Sequence, residues 1–162
     1  MKSPDRRAQI LAAAARLFEQ RRFDEVLMED IAKAARVAKG TLYSHFSDKE
    51  ELSFDVVFGA ICRLNAQLVQ EAAEATDPAD QLRGMIHAIV AFFADNRVFF
   101  RLMAAEDARS ATGRSDHRRR WTRQRHEQTH AIAEVLEAGA EAGVFRIRHA
   151  NMQAEILRGM VR

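Results

Sequence analysis

Residues 28–52, MEDIAKAARVAKGTLYSHFSDKEEL, read as two short helices that meet at a tight turn and hand over to a third. Ile31, Ala32 and Ala35 share one stripe of the first helix. Val37 and Leu42 supply apolar partners across the turn, at spacings that bury the two helices against each other. Ala32 is small where the backbones come closest. Between the apolar positions of the second helix stand Lys39, Gly40, Thr41, Tyr43, Ser44 and His45, a face of small, polar and basic groups. A core helix would not leave such a face, whereas a helix that enters a DNA major groove would. The stretch therefore predicts a helix-turn-helix reader.

Working outward, start signals recur at helical spacing. Ser3 precedes Pro4, Asp77 precedes Pro78, and proline at a first helical position marks a start. Ser47 with Glu50 three residues later predicts a capping box for the helix that leaves the reader. Helices are expected at about 4–21, 28–35, 39–45, 48–75, 78–95, 97–109, 116–142 and from 150 onward, with a loop at 110–115 and no strand pattern anywhere. The expected fold is all-α. Val57, Ile61, Leu64 and Leu68 face Leu82, Met85, Ile86, Ile89, Val90 and Phe93 of the next helix, so the helix leaving the reader also belongs to the second bundle. A tilt in one part then moves the other.

With 162 residues and 48% hydrophobic content, the chain is long and apolar enough to build a real core. Its single cysteine, Cys62, excludes an internal disulfide and a thiolate zinc cluster, which fits a reducing compartment. The N-terminus lacks an apolar signal core and the apolar runs fall short of a membrane span, so a cytoplasmic protein without membrane attachment is expected. Net charge is only +2, and all of that excess falls in the first fifty residues. Nucleic-acid binding must then rest on local placement, with Arg6, Arg7, Lys39, His45 and Lys49 near phosphates.

The run Val37-Ala38-Lys39-Gly40-Thr41-Leu42-Tyr43-Ser44-His45-Phe46, followed by Ser47-Asp48-Lys49-Glu50-Glu51-Leu52, resembles the DNA-reading segment of the tetracycline-repressor (TetR) family of bacterial transcription regulators. The upstream helix Ile10–Phe18 and the link through Phe23 to Ala32 extend the resemblance over residues 5–52; beyond it only a general helical pattern is shared. The resemblance implies a three-helix DNA-binding domain at 1–47 joined to a helical effector-binding and dimerisation domain at 48–162. It also implies a homodimer, most often a repressor, on a palindromic double-stranded operator, released by a small-molecule effector, and Phe92, Phe93, Phe99, Phe100 and Met103, with few charges among them, make that effector apolar or aromatic. No cofactor, metal or enzymatic activity is implied. The chain ends partway through an apolar-periodic helix, where family members usually carry one further helix.

Departures from the family pattern sit at turns and caps. Arg36 stands at a turn where glycine is usual, Arg22 replaces another glycine, Leu27 replaces a capping threonine, and Ala38 replaces the serine or threonine that opens the recognition helix. A residue with positive φ other than glycine costs on the order of 1 kcal/mol. A lost N-cap hydroxyl costs roughly 0.5–2 kcal/mol.

Within the reader, Lys39 and Thr41 are expected at base edges, and Gly40 is expected to let the backbone approach DNA. Ala38 opens the helix, His45 and Lys49 flank phosphates, and the resemblance assigns the Tyr43 hydroxyl to a phosphate. The expected effector contacts are Met85, Phe92, Phe93, Phe99, Phe100, Met103 and Trp121, residues whose spacing serves a plain core equally well. The basic run Arg114, Arg118, Arg119, Arg120, Arg123 and Arg125 reads as a solvated helix face. His87, His117, His126 and His130 lack supporting ligands at metal-site spacing. There is no serine elbow, phosphate-binding glycine loop or separated carboxylate pair to suggest an enzyme. The rival reading is a ligand-binding or protein-interaction helical protein with a degenerate reader.

Overall fold

The computed structural model describes residues 4–95, 97–110 and 115–160. Along these run α1 (Pro4–Gln20), a 3-10 turn (Phe23–Glu25), α2 (Met28–Ala34), α3 (Lys39–His45), α4 (Lys49–Glu74), α5 (Pro78–Asp95), α6 (Arg97–Ser110), α7 (Ser115–Glu141) and α8 (Ala150–Met160). All eight expected helices form, and the 3-10 turn is an addition. The centre of the expected 110–115 loop, including Arg114, lies outside the described residues.

The reader closes on a small core. Ile10, Ala13, Ala14 and Phe18 form the buried stripe of α1, and Val26, Ile31, Ala32, Ala35, Leu42 and Phe46 pack against it. At the turn between α2 and α3, the Val37 amide donates to the Ala32 carbonyl (3.0 Å) and the Arg36 amide to the Lys33 carbonyl (3.1 Å). This pair of bonds is a Schellman closure, and it forces Arg36 to φ 53°. The strain expected from a missing glycine is present. The same closure at the end of α7 is made by Gly143 at φ 71°.

Helix α4 is the axis of the molecule. Its buried residues include Leu52, Phe54, Val57, Ile61, Leu64 and Leu68, and α1, α5, α6 and α7 all pack on it. By length and composition α4 could cross a membrane, which corrects the reading that no apolar run was long enough. More than half of its most apolar window is buried inside the fold. That burial identifies a core helix.

The cap of α4 also differs from expectation. Asp48, not Ser47, takes the N-cap and accepts the Glu51 amide (2.7 Å), while Glu51 accepts the Ser47 amide (2.8 Å) and hydroxyl (2.6 Å). A carboxylate is the stronger acceptor for helix-end amides, so the helix starts one residue later and Glu50 is left exposed.

Candidate nucleic-acid interface

Recognition helix α3 is anchored by fully buried Leu42 and, just past its end, Phe46. The remaining positions are then forced outward. Ala38, Lys39, Gly40, Tyr43 and Ser44 are exposed, and Thr41 and His45 are half-buried. The Ser44 hydroxyl donates back to the Thr41 carbonyl (2.8 Å). Ala38 makes no side-chain cap, as its methyl group dictates.

Gly40 stands in open space. A Cβ built there would meet nothing within 4 Å, so the free protein places no demand for glycine at this position. Lys39 is less free. Its ammonium pairs with the Glu29 carboxylate (2.5 Å) and lies 5.8 Å from the centre of the Tyr43 ring. The hydrogen bond from Lys39 holds the Glu29 carboxyl below its ordinary value, and the same bond raises Lys39.

Two cations expected at phosphates are committed elsewhere. Lys49 donates to the carbonyls of Phe23 (2.7 Å) and Val26 (2.9 Å) and sits 4.5 Å from the centre of the Phe23 ring. It clamps the start of α4 to the link before α2 by donating to two backbone carbonyls of that link. Arg7 turns inward to pair with Asp55 and lies over the Phe46 ring. Arg6 remains exposed beside Gln9.

Asp55 is the residue that the sequence reading missed. It lies 8% exposed on α4 and meets Arg7 of α1 on one oxygen and Arg120 of α7 (3.4 Å) on the other. Arg120 also covers the rings of Phe54 and Phe58, and His117 stacks on Phe54 at 4.0 Å between centroids. One carboxylate thus ties the reader to two helices of the second bundle. The only signal in the sequence was an acid inside the apolar run Phe54-Asp55-Val56-Val57.

The basic run on α7 is correspondingly split, correcting the solvated-face reading. Arg118, Arg119 and Arg123 are exposed, but Arg120 is half-buried and Arg125 is buried beside Gln128. Of the expected effector residues, Phe92, Phe93, Phe99 and Phe100 form one chain of ring contacts, 5.3–6.1 Å between successive centroids, linking α5 to α6. Met85, Met103 and Trp121 are buried, Phe92 and Phe93 are half-buried, and Phe100 is 38% exposed. His126 and His130 are exposed, and no group of three metal-ligating side chains occurs among the described residues.

The family model described as "Bacterial regulatory proteins, tetR family" matches residues 10–56, and "Tetracyclin repressor-like, C-terminal domain" matches residues 75–162. The chain belongs to the TetR family. Among curated TetR-family relatives, the transcriptional activator FasR of Mycolicibacterium smegmatis is 33% identical over 103 residues, 64% of this chain and 47% of that protein. The chain spans about half the length of the first curated relatives it matches. Among solved structures, PfmR of Thermus thermophilus superposes with a TM-score of 0.76 at 28% identity, covering 94% of this chain and 84% of that one. FadR of Bacillus subtilis, in complex with stearoyl-CoA, superposes with a TM-score of 0.75 at 17% identity, covering 95% and 82%. The last likeness shows the fold.

Proposed function

We propose that the protein is a cytoplasmic transcription regulator that binds a palindromic operator as a homodimer, with residues 1–47 as reader and 48–162 as effector and dimerisation domain. The observation that carries this is the outward face of α3, where Lys39, Gly40, Thr41 and Tyr43 surround a helix held by Leu42 and Phe46. Lys39 and Thr41 address base edges; Ala38, Tyr43 and His45 address the backbone, and Gly40 lets it approach. Lys49 supports the reader from behind. Met152, Ile156 and Met160 form an exposed apolar stripe at four-residue spacing along α8, the face on which a second copy would pack.

The effector in this proposal is a largely apolar molecule held by the α5–α6 aromatic cluster, and the action is repression relieved by that molecule. Buried Ser53 Oγ and Asn65 Oδ1 on α4 have no hydrogen-bond partner, and such groups suit the polar end of a ligand. The stearoyl-CoA bound by the FadR neighbour makes long-chain acyl thioesters the first compounds to try. Asp55 couples the two halves: a shift of α7 on ligand binding pulls Arg120 and, through the shared carboxylate, Arg7 of the reader.

The deciding experiment measures binding of the full-length protein to its own upstream DNA and to random duplex at about 100 mM salt. Specific regulation requires at least about a thousandfold preference. Equal binding to both duplexes would favour the degenerate-reader alternative.

A further inference from the structure

We propose a second ligand site, separate from the α5–α6 aromatic cluster, in the cleft between the end of α1, the 3-10 turn and α6, and assign it to an amphipathic anion. The cleft holds about 430 Å³, within the range of small-molecule sites. Its apolar wall comes from Phe18 and Phe23 on the reader side and Leu102 on the α6 side. Its charged groups are Arg21, Arg22 and Arg101 against one carboxylate, Asp24.

The pairing of those charges selects the ligand. Arg22 meets Asp24 (3.3 Å), and Arg21 meets Asp30 (3.3 Å), which lies outside the cleft. Arg101 has no ion-pair partner among the described residues. Among the described residues one guanidinium is therefore uncompensated beside an apolar wall. A guanidinium binds a carboxylate or phosphate through two parallel hydrogen bonds, while the aromatic wall buries a hydrocarbon tail. A cationic amphiphile would meet a positive rim, and a neutral one would leave Arg101 unused. Because the walls come from both sides of the α1–α6 contact, the occupant touches reader and effector domain together.

Calorimetric titration of the full chain with octanoate, octyl phosphate, 1-octanol and octylammonium, all below micelle formation, tests the assignment. One anionic amphiphile should bind per chain, and the comparison of octanoate with octyl phosphate identifies the preferred head group. Arg101→Gln should weaken it by about fivefold, on the scale of an exposed charge-assisted hydrogen bond. Ala105 also lines the cleft, so Ala105→Trp, which fills it, should abolish binding, and Phe93→Ala in the aromatic cluster should leave it unchanged. If Ala105→Trp fails to fold by circular dichroism, the exposed Arg101→Gln change decides. Absence of binding by both anions, equal binding of 1-octanol, or indifference to Arg101→Gln would overturn the site. A loss caused by Phe93→Ala alone would place the anion in the effector cluster instead.

Discussion

Helices α3 and α4 stand next to each other in the chain and use polar groups in opposite ways. The seven residues of α3 spend one apolar side chain on fully buried packing and turn the rest of their chemistry outward. The 26 residues of α4 bury apolar side chains around most of the helix and enclose one carboxylate, Asp55, among them. In the proposed reading, function in the reader is carried by what is not packed, and coupling in the core helix by the polar group that is. Changes on the outer face of α3 should move DNA affinity at constant stability, whereas a change at Asp55 should move both.

Asp55→Asn gives the largest expected effect. The amide keeps the shape but leaves the guanidiniums of Arg7 and Arg120 without their counter-charge. Breaking a fully buried pair costs about 3–5 kcal/mol; because Arg7 and Arg120 are 43% and 37% exposed, about 2 kcal/mol is expected here. Urea unfolding measures it. A loss under about 0.5 kcal/mol would mean that Arg7 and Arg120 tolerate the absence of their counter-charge and would remove the proposed mechanical link between the two halves.

Gly40→Ala is the complementary change on α3. With nothing within 4 Å of the added methyl, stability should hold or rise by up to about 1 kcal/mol from helix propensity. Operator affinity should fall by about tenfold, because the methyl occupies space needed by the DNA backbone or base edges. Calorimetry and fluorescence anisotropy separate the two effects. Unchanged affinity would show that no close approach occurs at position 40.

The same contrast explains what was readable in the sequence. Helix positions were legible because Pro4, Pro78 and Gly143 punctuate the chain and the apolar spacing is local. The face of α3 was legible because Leu42 and Phe46 leave the intervening residues only one direction to point. The partners of Asp55 were not legible, since they lie 48 and 65 residues away along the chain and only the packing of three helices brings them together. Lys49 and Arg120 were misread for a related reason. A long basic side chain reads as solvated, yet its stem can reach unpaired carbonyls or aromatic faces that local periodicity does not reveal.

The two Schellman closures permit a smaller test. Gly143 makes its closure without a Cβ, whereas Arg36 holds φ 53° against one. Arg36→Gly should therefore stabilise the reader by up to about 1 kcal/mol, or about 3 °C in Tm, partly offset by the greater freedom of glycine in the unfolded chain. A lower Tm would show that exposed Arg36 makes a compensating contribution in the folded state.

Glu29→Gln is expected to have the smallest effect and bears most directly on the proposed reading of DNA. If Lys39 reads DNA as proposed, its Glu29 partner competes with the operator for it, so neutralising Glu29 should free the ammonium and remove a negative charge from the reading face. Since both groups are exposed, a gain of about threefold in affinity is expected, shared by specific and random duplexes and shrinking as salt rises. The sign with pH follows from Glu29's depressed titration in the folded protein. The pair is complete above the ordinary carboxyl value and is lost only as pH falls through the lower folded one. The wild-type handicap should therefore be constant between about pH 6 and 8. If Glu29→Gln weakened specific binding instead, the carboxylate would be orienting Lys39 for base contact rather than restraining it, and the pair would act as one reading unit.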